Sequence, residues 1–119
     1  MRVRMFKPQF APLVKSGVKR QTIRPYPKRM PKVGDRESWR EWSGKPYRSK
    51  QIELAQVELT EVSPITITGK VISICGISVS TTDEHLLAVA DGFSHANAMK
   101  YFFDTTHGLP FRGIVIKAK

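Results

Sequence analysis

Apolar residues recur along this chain at two spacings, every second position in some stretches and every third or fourth in others, and the switches between them lay out its elements. Val3 to Phe6 suits a strand. Pro8 then opens a helix in which Phe10, Leu13 and Val14 fall at i, i+3 and i+4, and Gly17 closes it. Lys19 to Arg24 begins a second strand. Pro25, Pro27 and Pro31 forbid regular pairing beyond it, so Tyr26 to Lys32 is expected as an extended surface loop. Gly34-Asp35 turns the chain into a strand from Glu37 to Trp42, and a loop follows over Ser43 to Lys50.

In the second half, Ala55, Val57 and Leu59 alternate with Gln56, Glu58 and Thr60, the pattern of a half-buried strand, and Ile65 and Ile67 repeat it. Val71 to Val79 is rich in β-branched residues and fits either one bent strand or two short ones around Gly76. Thr81 and Glu84 form a capping-box pattern that predicts a helix from about Thr82 to Ala90, stopping at Gly92. Ser94 is the expected cap of a further helix with the apolar stripe Ala98, Met99, Phe102 and Phe103, ended by Gly108. Arg112 to Lys117 reads as a closing strand with Ile114 and Ile116 on one face. Five to seven strands and about three helices around one core predict an α+β fold, a small β-barrel with peripheral helices. The 119 residues are 40% hydrophobic and contain no repeat or linker, so 1–119 is expected to be a single domain.

Charge divides the chain unevenly. Residues 1 to 50 carry fifteen lysines and arginines against three carboxylates, a net +12, while residues 51 to 119 carry five against seven, a net −2. The first half is therefore a candidate anion-binding surface. Tyr26, Trp39, Trp42 and Tyr47 lie among cations that include Arg36, Arg40, Arg48 and Lys50. Rings interleaved with cations supply stacking and phosphate pairing, the two needs of single-stranded nucleic acid or a lone nucleobase. The single Cys75 cannot form an internal disulfide and is expected to pack as a small hydrophobe in a reducing cytoplasm. No stretch approaches the roughly 20 apolar residues of a membrane span, and Met1 to Lys7 lacks a signal core, so neither membrane insertion nor secretion is expected.

The densest chemistry lies in Ser16-Gly17-Val18-Lys19-Arg20-Gln21-Thr22-Ile23-Arg24-Pro25, which sets an amine, a hydroxyl and two guanidinium groups directly after a glycine turn. In a strand, alternation sends Arg20, Thr22 and Arg24 to one face and Lys19, Gln21 and Ile23 to the other. Lys19 sits at the bend, where its long stem can swing to the Thr22 side. The result is a cationic floor suited to a phosphate, a carboxylate or a polarised carbonyl. His85, His95 and His107 are too widely spaced for a zinc ligand set and default to the surface. No glycine-rich phosphate loop joins a strand to a helix, so neither a metal nor another cofactor is expected.

Phe6-Lys7-Pro8, Ser16-Gly17-x-Lys19-x-x-Thr22-Ile23-Arg24, Val33-Gly34-Asp35, Ala90-Asp91-Gly92-Phe93 and Phe111-Arg112-Gly113, taken in order, resemble the ASCH domain over nearly the whole chain. ASCH domains are similar to PUA domains, so the resemblance implies a PUA-like barrel whose cleft takes RNA or a modified nucleoside, in solution or within a strand. The family's bacterial amidohydrolases remove the acetyl group from N4-acetylcytidine with a lysine, a threonine and a glutamate. By motif these fall on Lys19, Thr22 and Asp91, the last an aspartate where those enzymes carry glutamate, shorter by one C–C bond of about 1.5 Å. The resemblance thus implies an RNA- or nucleoside-binding module or, alternatively, an amidohydrolase for N4-acylated cytidine, with ribonuclease a further alternative. In the enzymatic case, Arg20, Arg24 and partial burial would lower the Lys19 pKa, letting it take a proton from Thr22 or from a water that Thr22 holds. Asp91 would hold the exocyclic nitrogen, and Arg24 would stabilise the oxyanion.

Overall fold

The computed structural model describes residues 1–119. In chain order the elements are β1 (Arg2–Met5), α1 (Ala11–Ser16), β2 (Gln21–Pro25), β3 (Arg36–Trp42) and β4 (Gln51–Ile67), then β5 (Ile72–Ile74), β6 (Ile77–Ser78), α2 (Thr81–Ala90), α3 (Ala96–His107) and β7 (Phe111–Ala118). This is the expected α+β composition of seven strands and three helices.

β4 organises the sheet. It is one strand of 17 residues where the sequence suggests separate patterns, because a register shift between Leu59 and Glu61 absorbs the break in alternation without ending the ladder. Its first half pairs antiparallel with β3, and its second half pairs antiparallel with β7. Ile65 to Ile67 also take β5 on the edge opposite β7. β1 lies parallel to β3, from Arg2 opposite Glu37 to Met5 opposite Arg40, and β2 lies antiparallel to β7.

The succession β1-β3-β4-β7-β2 does not close. β1 pairs only with β3, and β2 pairs only with β7, so the barrel expected from the strand count is open along one seam. The seam is bridged by a side chain instead of a ladder: the Arg24 guanidinium donates from Nη2 to the Met5 carbonyl at 2.9 Å and lies over the Phe6 ring. The Met5 carbonyl, a ladder acceptor if β1 and β2 paired, is thus satisfied by a guanidinium instead of a backbone N–H.

Both faces of β7 are covered. Ile114 and Ile116 join Phe6, Phe10, Val14, Trp39, Val57 and Leu59 in one core beneath α1. Val115 and Phe111 join Ile23, Ile65, Ile67, Ile72, Leu87, Met99 and Phe103 in a second core beneath α2 and α3. Gly113 permits the closest approach in this region, because a Cβ there would fall on the Arg24 carbonyl oxygen.

Four local expectations are corrected. The first helix begins at Ala11, not at Pro8: Phe10 is its N-cap and Pro12 lies in its first turn, where a missing N–H costs nothing. Ser80, not Thr81, caps α2 by accepting from the Asp83 N–H at 3.1 Å. His95, not Ser94, caps α3, its Nδ1 accepting from the Ala98 N–H at 3.1 Å. Cys75 is exposed rather than packed: β5 and β6 are joined through Cys75 (φ 54°) and Gly76 (φ 78°), and a two-residue turn with positive φ at both positions points away from the core. No helix is long and apolar enough to cross a membrane.

Candidate functional site

The open seam widens into a cavity of about 240 Å³ whose lining includes Phe6 and Lys7 after β1, Lys19, Thr22 and Arg24, Asp91 at the end of α2, and Phe102 and His107 of α3. Local folding delivers each group. Gly17 ends α1 with its N–H on the Val14 carbonyl at 3.2 Å, and the Lys19 N–H returns to the Leu13 carbonyl at 2.9 Å. This reversal turns the Lys19 side chain inward, where it is 2% exposed. Asp91 is brought in as the C-cap of α2, and Gly92 follows at φ +97°, where a Cβ would press on the Phe10 ring at 3.0 Å.

Lys19 Nζ donates to the Asp91 carbonyl at 2.5 Å and lies 3.5 Å from its Oδ2. A cation here also complements the negative end of α2. Gln21 Nε2 donates to Asp91 Oδ1 and to the Leu87 carbonyl, each at 3.1 Å, binding β2 to the last turn of α2. On the other face of β2, Arg24 Nε donates to Thr22 Oγ1 at 2.9 Å. The Thr22 hydroxyl therefore accepts from Arg24 and keeps its own hydrogen for a further acceptor. Each cation covers a phenyl ring: Lys19 Nζ is 4.9 Å from the centre of Phe10, Arg24 4.8 Å from Phe6, and Lys7 Nζ 4.8 Å from Phe102.

Burial governs the titration of this cluster. It pushes the Lys19 ammonium down, a shift opposed by Asp91 and reinforced by Arg24. It pushes the Asp91 carboxyl up, opposed first by Lys19 and then by the hydrogen bond from Gln21. Arg24 is lowered to about 10 by burial and by the neighbouring Arg4. His107 is lowered by its partial burial, with Lys7 and Arg24 adding to the effect. Arg4 is held in turn by a buried bidentate pair with Glu37, at 2.6 and 3.0 Å.

The structure brings Lys19, Thr22, Arg24 and Asp91 together and separates the remaining candidates. Arg20 donates to the Val14 and Lys19 carbonyls at 2.7 and 3.2 Å, so it finishes α1 instead of lining the cavity. Trp39 is not available for stacking: it is fully buried, and its Nε1 donates to Glu37 at 3.1 Å. Arg40 is held flat on the sheet by Ser38 and Gln51. Trp42 at the end of β3 and Tyr47 on the β3–β4 loop form a tilted pair 5.1 Å apart, Tyr47 being 88% exposed, with Arg48 and Lys50 exposed on the same loop. Arg36 lines a different groove, with Arg2 and Arg29.

Sequence reasoning assigned no role to Gln21, to the phenyl rings of Phe6, Phe10 and Phe102, or to His107. The signal for Gln21 was its place beside Lys19 on the same strand face, since a buried amide there needs a partner. No group of three or more His, Cys, Asp or Glu side chains is gathered to hold a metal ion. Comparisons with protein-family models, curated proteins and solved structures returned no match for this chain.

Proposed function

We propose that this protein is an ASCH-type, PUA-like domain that seats one nucleobase, in particular a modified pyrimidine of single-stranded RNA, in the seam cavity. The observation that carries this reading is the convergence of Lys19, Thr22, Arg24 and Asp91 on a single cavity walled by phenyl rings. A volume of about 240 Å³ lies below the roughly 300–1,000 Å³ of pockets for drug-sized ligands and suits one base more than a whole nucleotide. The polar groups complement a cytosine-like edge: the Thr22 hydroxyl has a hydrogen to donate to a ring carbonyl, and Asp91 has free lone pairs for an exocyclic N–H. Calorimetric titration with cytidine, N4-acetylcytidine and uridine tests the reading. Binding of a cytidine is expected, and Thr22→Val is expected to weaken it by about ten-fold, the worth of one buried hydrogen bond with its partner left unpaired. Failure of every nucleoside to bind, or indifference to Thr22→Val, refutes it.

A second reading, amidohydrolysis, is favoured by the lowered Lys19 pKa beside the Thr22 hydroxyl. Neutral Lys19 would take the proton of Thr22 or of a water, the oxygen would attack the acyl carbon, and the amine would leave with a returned proton. Where Thr22 attacks, water then hydrolyses the acyl–threonine ester to free the carboxylate and the hydroxyl; where water attacks, the carboxylate is released as the amine leaves. Loss of the acetyl group from N4-acetylcytidine, followed by mass spectrometry and abolished in Lys19→Ala, supports this chemistry. No turnover at high protein concentration removes it.

A further inference from the structure

A second cationic feature stands apart from the seam cavity. Arg2, Arg29 and Arg36 line an open groove of about 670 Å³ at the start of β1. None of the three has a carboxylate within ion-pairing distance. The acidic side chains of the groove are engaged elsewhere: Asp35 Oδ2 accepts from the Lys32 N–H at 2.9 Å, and both oxygens of Glu37 are taken by Arg4. Arg2 donates through Nη2 to the Arg29 carbonyl at 2.6 Å, fixing the proline-rich loop against β1, while the Arg29 and Arg36 guanidinium groups make no hydrogen bond. Three arginines on one groove, against the single carboxylate of Asp35 that no cation pairs, leave it net positive and complementary to phosphate oxygens.

We infer that this groove binds backbone phosphates of the same single strand whose base enters the seam cavity, so that the ligand is a polynucleotide and not a free nucleoside. This rests on the reading of the cavity as a base pocket. β1 connects the two features: Arg2 lines the groove, and Phe6, just past the strand and on the same face by alternation, lines the cavity four residues or about 13 Å away. That span is suited to neighbouring nucleotides of an extended strand, and a lone phosphate or nucleoside would occupy only one of the two sites.

The test combines fluorescence anisotropy of a labelled short single-stranded RNA across a salt series, calorimetry with free cytidine or N4-acetylcytidine, and competition by inorganic tripolyphosphate. The variants are Arg29→Ala/Arg36→Ala, both on the surface, and Thr22→Val. The double variant is expected to weaken RNA binding by about ten-fold or more at low salt. It should also flatten the log–log salt slope by about 1.4, at about 0.7 for each single-strand phosphate no longer contacted, with free-nucleoside affinity retained. An unchanged RNA affinity and slope overturns the proposal. Loss of tripolyphosphate binding with RNA affinity intact also overturns it, assigning the groove to a free phosphate compound. If the double variant weakens RNA binding while Thr22→Val does not, the groove stands and the base-pocket reading falls. The reverse pattern keeps the pocket and removes the groove.

Discussion

Replacing Lys19 with methionine removes the one cation paired with Asp91 and tests whether burial controls the seam cavity. The side chain is similar in length, so the loss is chiefly that of the charge and of the hydrogen bond to the Asp91 carbonyl. Asp91 is then a carboxylate at 4% exposure with only the Gln21 amide donating to it. Breaking a buried pair in this way costs about 3–5 kcal/mol if the remaining charge stays. A cheaper route is for Asp91 to take up a proton on folding. From an unfolded pKa of about 3.9, that costs about 4 kcal/mol at pH 7 and about 1.5 kcal/mol at pH 5, at 1.36 kcal/mol per unit. The sign follows from the direction of the shift: a carboxyl raised on folding binds more protons in the native state, so stability falls as pH rises above its unfolded value. Lys19→Met should therefore lose more stability than the parent protein between pH 5 and pH 7, by at most about 2 to 3 kcal/mol, since burial already raises Asp91 in the parent against the opposing pull of Lys19. Urea unfolding followed by the emission of buried Trp39 measures this directly. Lys19→Met/Asp91→Asn should abolish the pH slope. A single variant whose stability relative to the parent protein is the same at both pH values would refute the argument, because Asp91 would then not depend on Lys19.

Two further outcomes follow from the geometry. Gly113→Ala should destabilise the protein by about 1–3 kcal/mol, because the added methyl meets the Arg24 carbonyl and forces β2 from β7; a melting temperature equal to that of the parent protein would contradict this packing. If RNA reaches the β3–β4 loop, quenching of tryptophan emission by a short single strand should come from Trp42, the partner of exposed Tyr47, and vanish in Trp42→Phe; persistent quenching in that variant would implicate Trp39 and contradict its burial.

The chain announces its elements more plainly than their surroundings. The closing Gly17 and the alternation through Ile114 and Ile116 are local properties and those ends formed where their patterns lay, whereas the first helix, read from Pro8, begins at Ala11 with Phe10 as its N-cap. The inward swing of Lys19 was legible because a bend follows a helix terminus. Failures arose where several residues had equal local claims, as with Ser80 beside Thr81 at the start of α2. Trp39 lies among charged residues in sequence, and its burial beside Glu37 and Ser38 follows from its core partners Phe6 and Val57, which its neighbours in the chain do not reveal. The open seam was not readable, because which strands pair is decided by the assembled sheet, as is the Arg24–Met5 contact that bridges it across 19 residues. The meeting of Asp91 with Lys19, 72 residues apart, is equally a product of the assembled fold.

The length of β4 has a mechanical consequence. Val57 and Leu59 belong to one interior and Ile65 and Ile67 to the other, yet all four ride on one uninterrupted ribbon. Neither half can loosen without tugging the ribbon from its mate, so the molecule is expected to melt as one cooperative body and not as two subdomains in series.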